Sequence, residues 1–482
     1  MDISVNSEKA LSVGQEALWF LRELAPESAA YNLAFGVRVR GRVDGAALRA
    51  AVAAVAARHD MIRSRFAVSR GRPVRLVGAE GPGLEIEDAT GMDGLRAAAH
   101  RVVAEPFDLA AAAFRCRLVR GPGDTSVLVL ASHHIASDAL AHGIVLREVF
   151  DAYAALVAGK APGWPEPAGD FDGHVRDEER LLASARAAEL ERHWRAEAVG
   201  AEAAELPTDR PRPPRRAFTG GTIEHAVLPE QAARIAQAAD ALGVTRFSFL
   251  LAAFQAVTHR YTRSAEFLVG CPLTTRFGRA HRETVGYFVN TVPVRARFGP
   301  ATTFRETATA AQRAVTQGLA HGRYPIGRLV HDLGGHRDPG RSPLFQLTFT
   351  MVGGEGAGPV AALGLAGERS AARARVAGLD LAPLDLDQQE GQFDLAVEMV
   401  DAGGTLRAVG RYDGALFERD TVARFLGHLV AFAGAAAEAP DRRVRQVPLM
   451  DADEAARTLA LGAARPAGDA GQHTSARFRP VP

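Results

Sequence analysis

Cysteine is nearly absent from the sequence: Cys116 and Cys271 are the only two in 482 residues. Each stands among apolar neighbours and neither has a CxxC partner, which argues against a disulfide scaffold or a cysteine-based zinc site and predicts buried, inert thiols. An excess of either charge is also missing. The 57 basic and 56 acidic residues leave a formal net charge of +1, which gives no global reason to expect a nucleic acid partner. No apolar run approaches the ~20 residues needed to span a bilayer, and no N-terminal apolar stretch follows a basic region. The expectation is a soluble, cytoplasmic chain with no membrane contact. No Gly-rich phosphate loop of the Walker type is present, so ATP is not expected. No repeat with a period of ~20–50 residues is visible.

What the sequence does contain is apolar residues in quantity, 47% of the chain, enough to bury a sizeable core. They fall into alternating helix-like and strand-like periods, which predicts an α/β or α+β architecture with mixed sheets. Helices are expected over Ser12–Leu24 (with Ser12 as cap), Ala46–Arg58, Leu95–Ala104, Leu140–Val157 and, as one long element, Val175–Ala198. In the second half they are expected over Ala232–Leu242, Phe247–Tyr261, Phe304–Ala320 and Asp420–Ala437. The runs Phe114–Val119 and Ser126–Leu130 flank Gly121–Pro122–Gly123 and read as paired strands, as do Phe393–Val400 and Leu406–Tyr412. The stretch Arg210–Arg216, RPRPPRR, reads as a solvated linker within the candidate lobe boundary Leu206–Pro214. Residues after Asp451 read as a linker or tail.

One segment can carry chemistry: Ser132-His133-His134-Ile135-Ala136-Ser137-Asp138-Ala139, directly after the apolar run TSVLVLA. An imidazole, with a reference pKa of ~6.5, is the side chain best suited to exchange protons near neutrality. A strand end holds such a ring rigidly, and a carboxylate four residues on can shape the turn or pair with an arginine. Alone, the string does not separate this reading from a hydrogen-bonded histidine pair. A shared metal ion is a third reading, but no further ligand stands nearby in sequence.

Other segments in a fixed order add to it. Leu11–Leu21 (LSVGQEALWFL), Arg58–Phe66 (RHDMIRSRF), the SHHIASDA segment, Val285–Arg295 (VGYFVNTVPVR), His321–Leu333 and Arg337–Gln346, with PFDL at Pro106–Leu109 and LPTDRPRP at Leu206–Pro213, resemble the motifs of the condensation domains of nonribosomal peptide synthetases. The resemblance spans about residues 8 to 450. It implies two chloramphenicol acetyltransferase-like lobes in a V-shaped pseudo-dimer with a central tunnel. The first lobe would take residues 1–175, the second 176–450, and a linker or tail 451–482. Crossover segments are expected near Pro272–Tyr287 and within Thr350–Asp387.

The same resemblance implies an acyltransferase forming an amide or ester from a carrier-bound thioester. The donor would come on a peptidyl or acyl carrier protein. The acceptor would come on a second carrier or as a free small nucleophile. The chain would act as a monomer and bind no cofactor or metal itself, because the phosphopantetheine belongs to the carriers. His134 becomes the catalytic residue and His133 a supporting one. Asp138 is expected to pair with Arg63, and Asn290 to line the tunnel or cap a strand end. Trp19 and Tyr31 are expected to pack, and Arg341 to anchor a loop. The motif's glycine is Ala139 here, which removes the freedom to adopt positive φ and adds a methyl group where a substrate would pass. A non-catalytic recruitment platform and an epimerization-type domain are the alternatives.

Overall fold

The computed structural model describes residues 8–164, 169–333, 338–353, 358–386, 391–402, 405–450 and 452–463. It is built around two mixed sheets, each with its own hydrophobic core. The strand Thr125–His133 shows why the first sheet forms. Its β-branched Val127 and Val129 suit a pleated, packed surface, and nearly every side chain is buried, as a central strand covered on both faces requires. It runs antiparallel to Phe114–Arg120 on one side and to Asn32–Arg40 on the other. Leu84–Asp88 adds in parallel beyond Phe114–Arg120. The helices Gly45–Arg58, Gly91–Ala104 and Ala139–Val157 bury their apolar residues in the same core.

The second sheet orders its strands as Val289–Arg297, Glu266–Thr274, Leu347–Gly353, Leu395–Ala402, Thr405–Asp413 and Gly220–Val227, with the short Glu202–Ala203 also paired to Glu266–Thr274. Its core is filled from the helices Arg246–Thr262, Phe304–His321 and Arg419–Glu438.

Two excursions tie the halves together. Between the second-sheet strands Leu347–Gly353 and Leu395–Ala402, the chain crosses over and lays Leu379–Leu384 antiparallel against Asn32–Arg40. Ala374–Val376 then completes the first sheet's edge. A second excursion follows Glu266–Thr274 and buries Val285 and Phe288 in the first core before Val289–Arg297 returns. The crossing strands Ala374–Val376 and Leu379–Leu384 and the buried Val285 lie within the segments expected to cross, and Phe288 one residue beyond.

The local expectations fare differently. Ser12 caps Val13–Leu24 through a full capping box with Gln15. The single helix expected over Val175–Ala198 is two, Phe171–Leu182 and Ala185–Ala198. Asp170 starts the first early by accepting from the Asp172 N–H. At the break, both the amide and the hydroxyl of Ser184 donate to the Leu181 carbonyl, the local competition that serine offers a helix. The tail's first part, Ala452–Ala463, is helical. Residues 1–7 and 464–482 lie outside the described residues.

The solvated linker read at Arg210–Arg216 is corrected. Arg212 forms a bidentate pair with the buried Asp394, Arg210 donates to the Gly414 and Phe417 carbonyls, and Arg216 donates to the Gly391 carbonyl. The fixed guanidinium fork matches these acceptors, so the basic residues fasten the connector to the second lobe.

Candidate active site

His134 stands where strand Thr125–His133 ends, in the turn before helix Ala139–Val157. The turn is over-determined. The His134 N–H donates to the Tyr31 carbonyl at 2.8 Å, and the Gln15 side chain donates to the Ile135 carbonyl at 2.8 Å. The hydroxyls of Ser132 and Ser137 are hydrogen-bonded to each other, and His142 Nε2 lies 2.8 Å from Ser132 Oγ.

The ring's own bond sets its chemistry. His134 Nδ1 lies 2.6 Å from the Ser137 carbonyl oxygen, which can only accept, so Nδ1 carries the proton. Nε2 is therefore the basic nitrogen, and no other described residue hydrogen-bonds to it. Burial holds the imidazolium below its ordinary range, against the opposing pull of the Ser137 carbonyl and Asp138. A neutral ring with a fixed tautomer is a competent proton acceptor. The Tyr287 ring stands edge-on to it at 5.1 Å. Gly14 makes room for that tyrosine, since a Cβ there would come within 2.8 Å of Tyr287 Cε1.

His133 points the other way. Its Nδ1 accepts from the Ile135 N–H at 3.1 Å, and burial, reinforced by His134 and Arg22, lowers its pKa to about 3. It is a neutral support for the turn near neutral pH.

Asp138 does support the turn, but not with Arg63. Its carboxylate takes Arg276 at 2.9 and 3.1 Å, the Ala141 N–H at 2.7 Å and the Phe288 N–H at 3.1 Å. One carboxylate thus caps the helix after the motif and fastens the crossing segment. Arg276 also donates to the His281 and Thr284 carbonyls and lies 4.1 Å over the Phe288 ring. Arg63 instead donates to the Ala56 and Gly78 carbonyls, holding its own lobe's loops. Its place after the helix Gly45–Arg58 directs it there, while the crossing segment brings a different guanidinium to Asp138.

Ala139 is the first residue of the helix and is not among the residues with positive φ. Alanine therefore costs no backbone strain, and its only consequence is a methyl group on the wall of the cavity that His134 also lines. Asn290 lines that cavity as well, with its amide committed: it donates to the Gly322 and Tyr324 carbonyls and accepts from the Ile326 N–H. Tyr31 packs against the first core and also reaches the cavity. Trp19 packs, and Arg341 anchors its loop to Glu205 and Asp338.

The cavity is about 860 Å³ and draws its walls from both lobes and both crossing segments. His134 is thus neither sealed in the interior nor confined to one lobe's surface. Arg276 and Tyr287 were missed as site residues. Both fall within the expected crossing segment Pro272–Tyr287, but nothing in sequence distinguishes Arg276 from Arg279 or Arg282. Among the described residues, no cluster of His, Cys, Asp and Glu has metal-binding geometry.

Solved structures share this architecture. The X-domain from teicoplanin biosynthesis superposes with a TM-score of 0.81 at 25% identity, covering 93% of this chain and 99% of that one. The first condensation domain of the CDA synthetase gives 0.74 at 22% identity, covering 92% and 99%. The two mixed sheets give the chain the chloramphenicol acetyltransferase-like fold of these condensation domains. The sequence profile described as "Condensation domain" matches residues 5–459, and the chain belongs to that family of nonribosomal peptide synthetase domains. Its relatives include a linear gramicidin synthase polypeptide of Brevibacillus parabrevis, 32% identical over 93% of this chain, and the phosphinothricin tripeptide synthetase PhsC of Streptomyces viridochromogenes, 30% identical over 92%. The chain spans 9% of the former's length and 40% of the latter's.

Proposed function

We propose that the chain joins a carrier-bound acyl or aminoacyl thioester to an acceptor amine or hydroxyl, as a C–N or C–O bond-forming acyltransferase. The observation that carries this reading is His134, with Nδ1–H held by the Ser137 carbonyl and Nε2 left as the base on a cavity wall. As the acceptor attacks the thioester carbonyl, its N–H or O–H proton passes to Nε2. Collapse of the tetrahedral adduct breaks the C–S bond, and the departing sulfur takes the proton from His134. The ring ends neutral, and no acyl-enzyme is required because the thioester is already activated. The turn's hydrogen bonds to Tyr31, Gln15 and Asp138 contribute by fixing where Nε2 stands. In this reading donor and acceptor carriers bring their phosphopantetheine arms to the cavity, a free nucleophile can replace the second carrier, and the chain works as a monomer in the cytoplasm.

The test is product formation with loaded carriers, followed by intact-protein mass spectrometry, for wild type and His134→Ala. Loss of ~10²–10⁴ in rate in the variant is expected. Equal rates in both, or turnover in neither, would defeat the proposal. A recruitment platform is the second reading, because the teicoplanin X-domain, solved in complex with OxyB, shares this fold with a TM-score of 0.80. It predicts no turnover in either form.

A further inference from the structure

The second sheet has two unlike faces. One presents Leu347, Phe349, Leu395, Val397, Met399, Leu406 and Ala408 to the second lobe's core, all fully or nearly fully buried. The other lines the cavity and sets polar groups among apolar ones: Thr348 and Thr350, then Glu398, then Arg407 and Arg411, then Thr222 and Glu224 across four adjacent strands, with Val352, Ala396 and Val409 between them. The alternation follows from the two-residue period of a strand. Charged groups turned into the space between two lobes are the unusual part, because polar groups withdrawn from water need partners.

Some of these groups have them. Arg407 pairs with Glu224, approaches Asp385 and donates to the Leu365 carbonyl, which fastens the crossover segment to the sheet. Among the described residues, Glu398 and Arg411 have only each other, as a loose ion pair. They are diagonal neighbours on antiparallel strands, with Glu398 opposite Val409 and Arg411 opposite Ala396. Their charged ends are 3.5 Å apart, and the side chains are 23% and 16% exposed. Among the described residues neither side chain makes a hydrogen bond, and Arg411 Nε is buried without a partner. The cavity wall therefore holds a carboxylate acceptor beside a guanidinium donor, both with unspent capacity.

We infer that Glu398 and Arg411 form a subsite for a peptide-like amide on the acyl chain, the amide N–H donating to Glu398 and its carbonyl accepting from Arg411. This deepens the condensation reading and rests on it for the identity of the ligand as an acyl group. A plain alkyl chain in the same place would cover both groups without bonding either, which is how a hydrogen-bonding site rejects an apolar analogue. The pair thus selects aminoacyl or peptidyl groups over simple fatty acyl groups.

The test measures binding by titration calorimetry. The probes are three acyl-pantetheine analogues with a non-hydrolysable linkage and equal chain length. One carries an internal amide, one an ester at the same position, and one only methylenes. Wild type is expected to bind the amide roughly tenfold more tightly than the alkyl analogue, with the ester between. In a Glu398→Leu/Arg411→Met double variant the three affinities should converge. Equal affinities in wild type, or an unchanged preference in a double variant with a normal melting temperature, would overturn the inference. The ester comparison leaves the protein unaltered, so it decides the matter even if the double variant does not fold. Turnover plays no part in this measurement. Selective binding without product would sink the bond-forming reading alone. Product formation with equal affinities would sink the subsite alone.

Discussion

The two lobes contain the same local device put to different ends. In the first, the strand Thr125–His133 leads through the turn His134–Asp138 into the helix Ala139–Val157. In the second, Thr405–Asp413 leads through a turn of equal length, Gly414–Glu418, into Arg419–Glu438. The second turn is closed from within its own lobe. Asp413 accepts from the Ala415 N–H, Asp209 accepts from the Glu418 N–H, Arg210 donates to the Gly414 carbonyl, and Leu416 is fully buried. The first turn is held by Tyr31 and Gln15 of its own lobe and, in addition, from across the molecule by Arg276 and the Phe288 N–H on Asp138. No residue of the second turn lines the cavity. A turn whose partner arrives from the other lobe stands at the junction, where a cavity can open against it.

The sharpest way to break this contrast is to exchange the residues that matter in each turn. His134→Ala should abolish most product formation, by ~10²–10⁴, while lowering stability by only ~1 kcal/mol through the lost bond to the Ser137 carbonyl. Asp413→Ala in the other turn should leave the rate of the folded protein intact and lower stability by only ~1 kcal/mol, from one lost hydrogen bond. Carrier assays alongside thermal unfolding check both.

Next in size is the choice of arginine. Arg276→Met strands a buried carboxylate, and loss of one partner of such a pair costs ~3–5 kcal/mol. The remaining Ala141 and Phe288 amides should hold the cost near the lower end of that range. Activity should fall with it. Arg63→Met removes bonds to two backbone carbonyls, for ~1–3 kcal/mol, and should spare the rate once the protein is folded. Denaturant titration of the two variants distinguishes the assignments.

Acid should act on the first turn before the second. His133 and His142 are held neutral by burial, each with a folded-state pKa of about 3 against an ordinary 6.5. The unfolded chain therefore binds more protons between those values, so this contribution to stability is complete above pH 6.5 and is lost as pH falls toward 3. The depressed His134 pKa places the acid limb of the rate profile below 6.5 as well. Urea unfolding at a series of pH values, with parallel rates, measures both. Mutating His133 and His142 to Gln should flatten the stability curve.

The smallest effect is expected at Ala139. Ala139→Gly relieves no φ strain and should cost up to ~1 kcal/mol of helix stability. Any change in rate would then report on the missing methyl at the cavity wall. Unfolding and carrier assays on the same preparation separate the two.

Much of this contrast was readable in sequence where the signal is local. The capping box at Ser12 and Gln15, the hairpin around Gly121–Gly123 and the motif strand all follow from neighbouring residues. The break at Ser184 was not, because Ala183 and Ser184 are both tolerated within a helix and only the Leu181 carbonyl's competing donors decide it. The partner of Asp138 was legible as a charge type but not as a residue. Arg276 lies far along the chain, and only the folded path of the crossing segment selects it. Glu398 and Arg411 read as the outward positions of ordinary alternating strands. Alternation fixes a face but does not say whether that face meets solvent or a cavity.

The strand Leu379–Leu384 leaves the second lobe to finish the first lobe's sheet. The first lobe's sheet is therefore completed only by chain that belongs to the second half. A cut between them would leave Asn32–Arg40 with a raw, hydrogen-bonding edge, the kind of surface that recruits other chains into aggregates. Recombination of this protein with its relatives is accordingly constrained to exchange both lobes together, or to carry the crossing strand along with the lobe it completes.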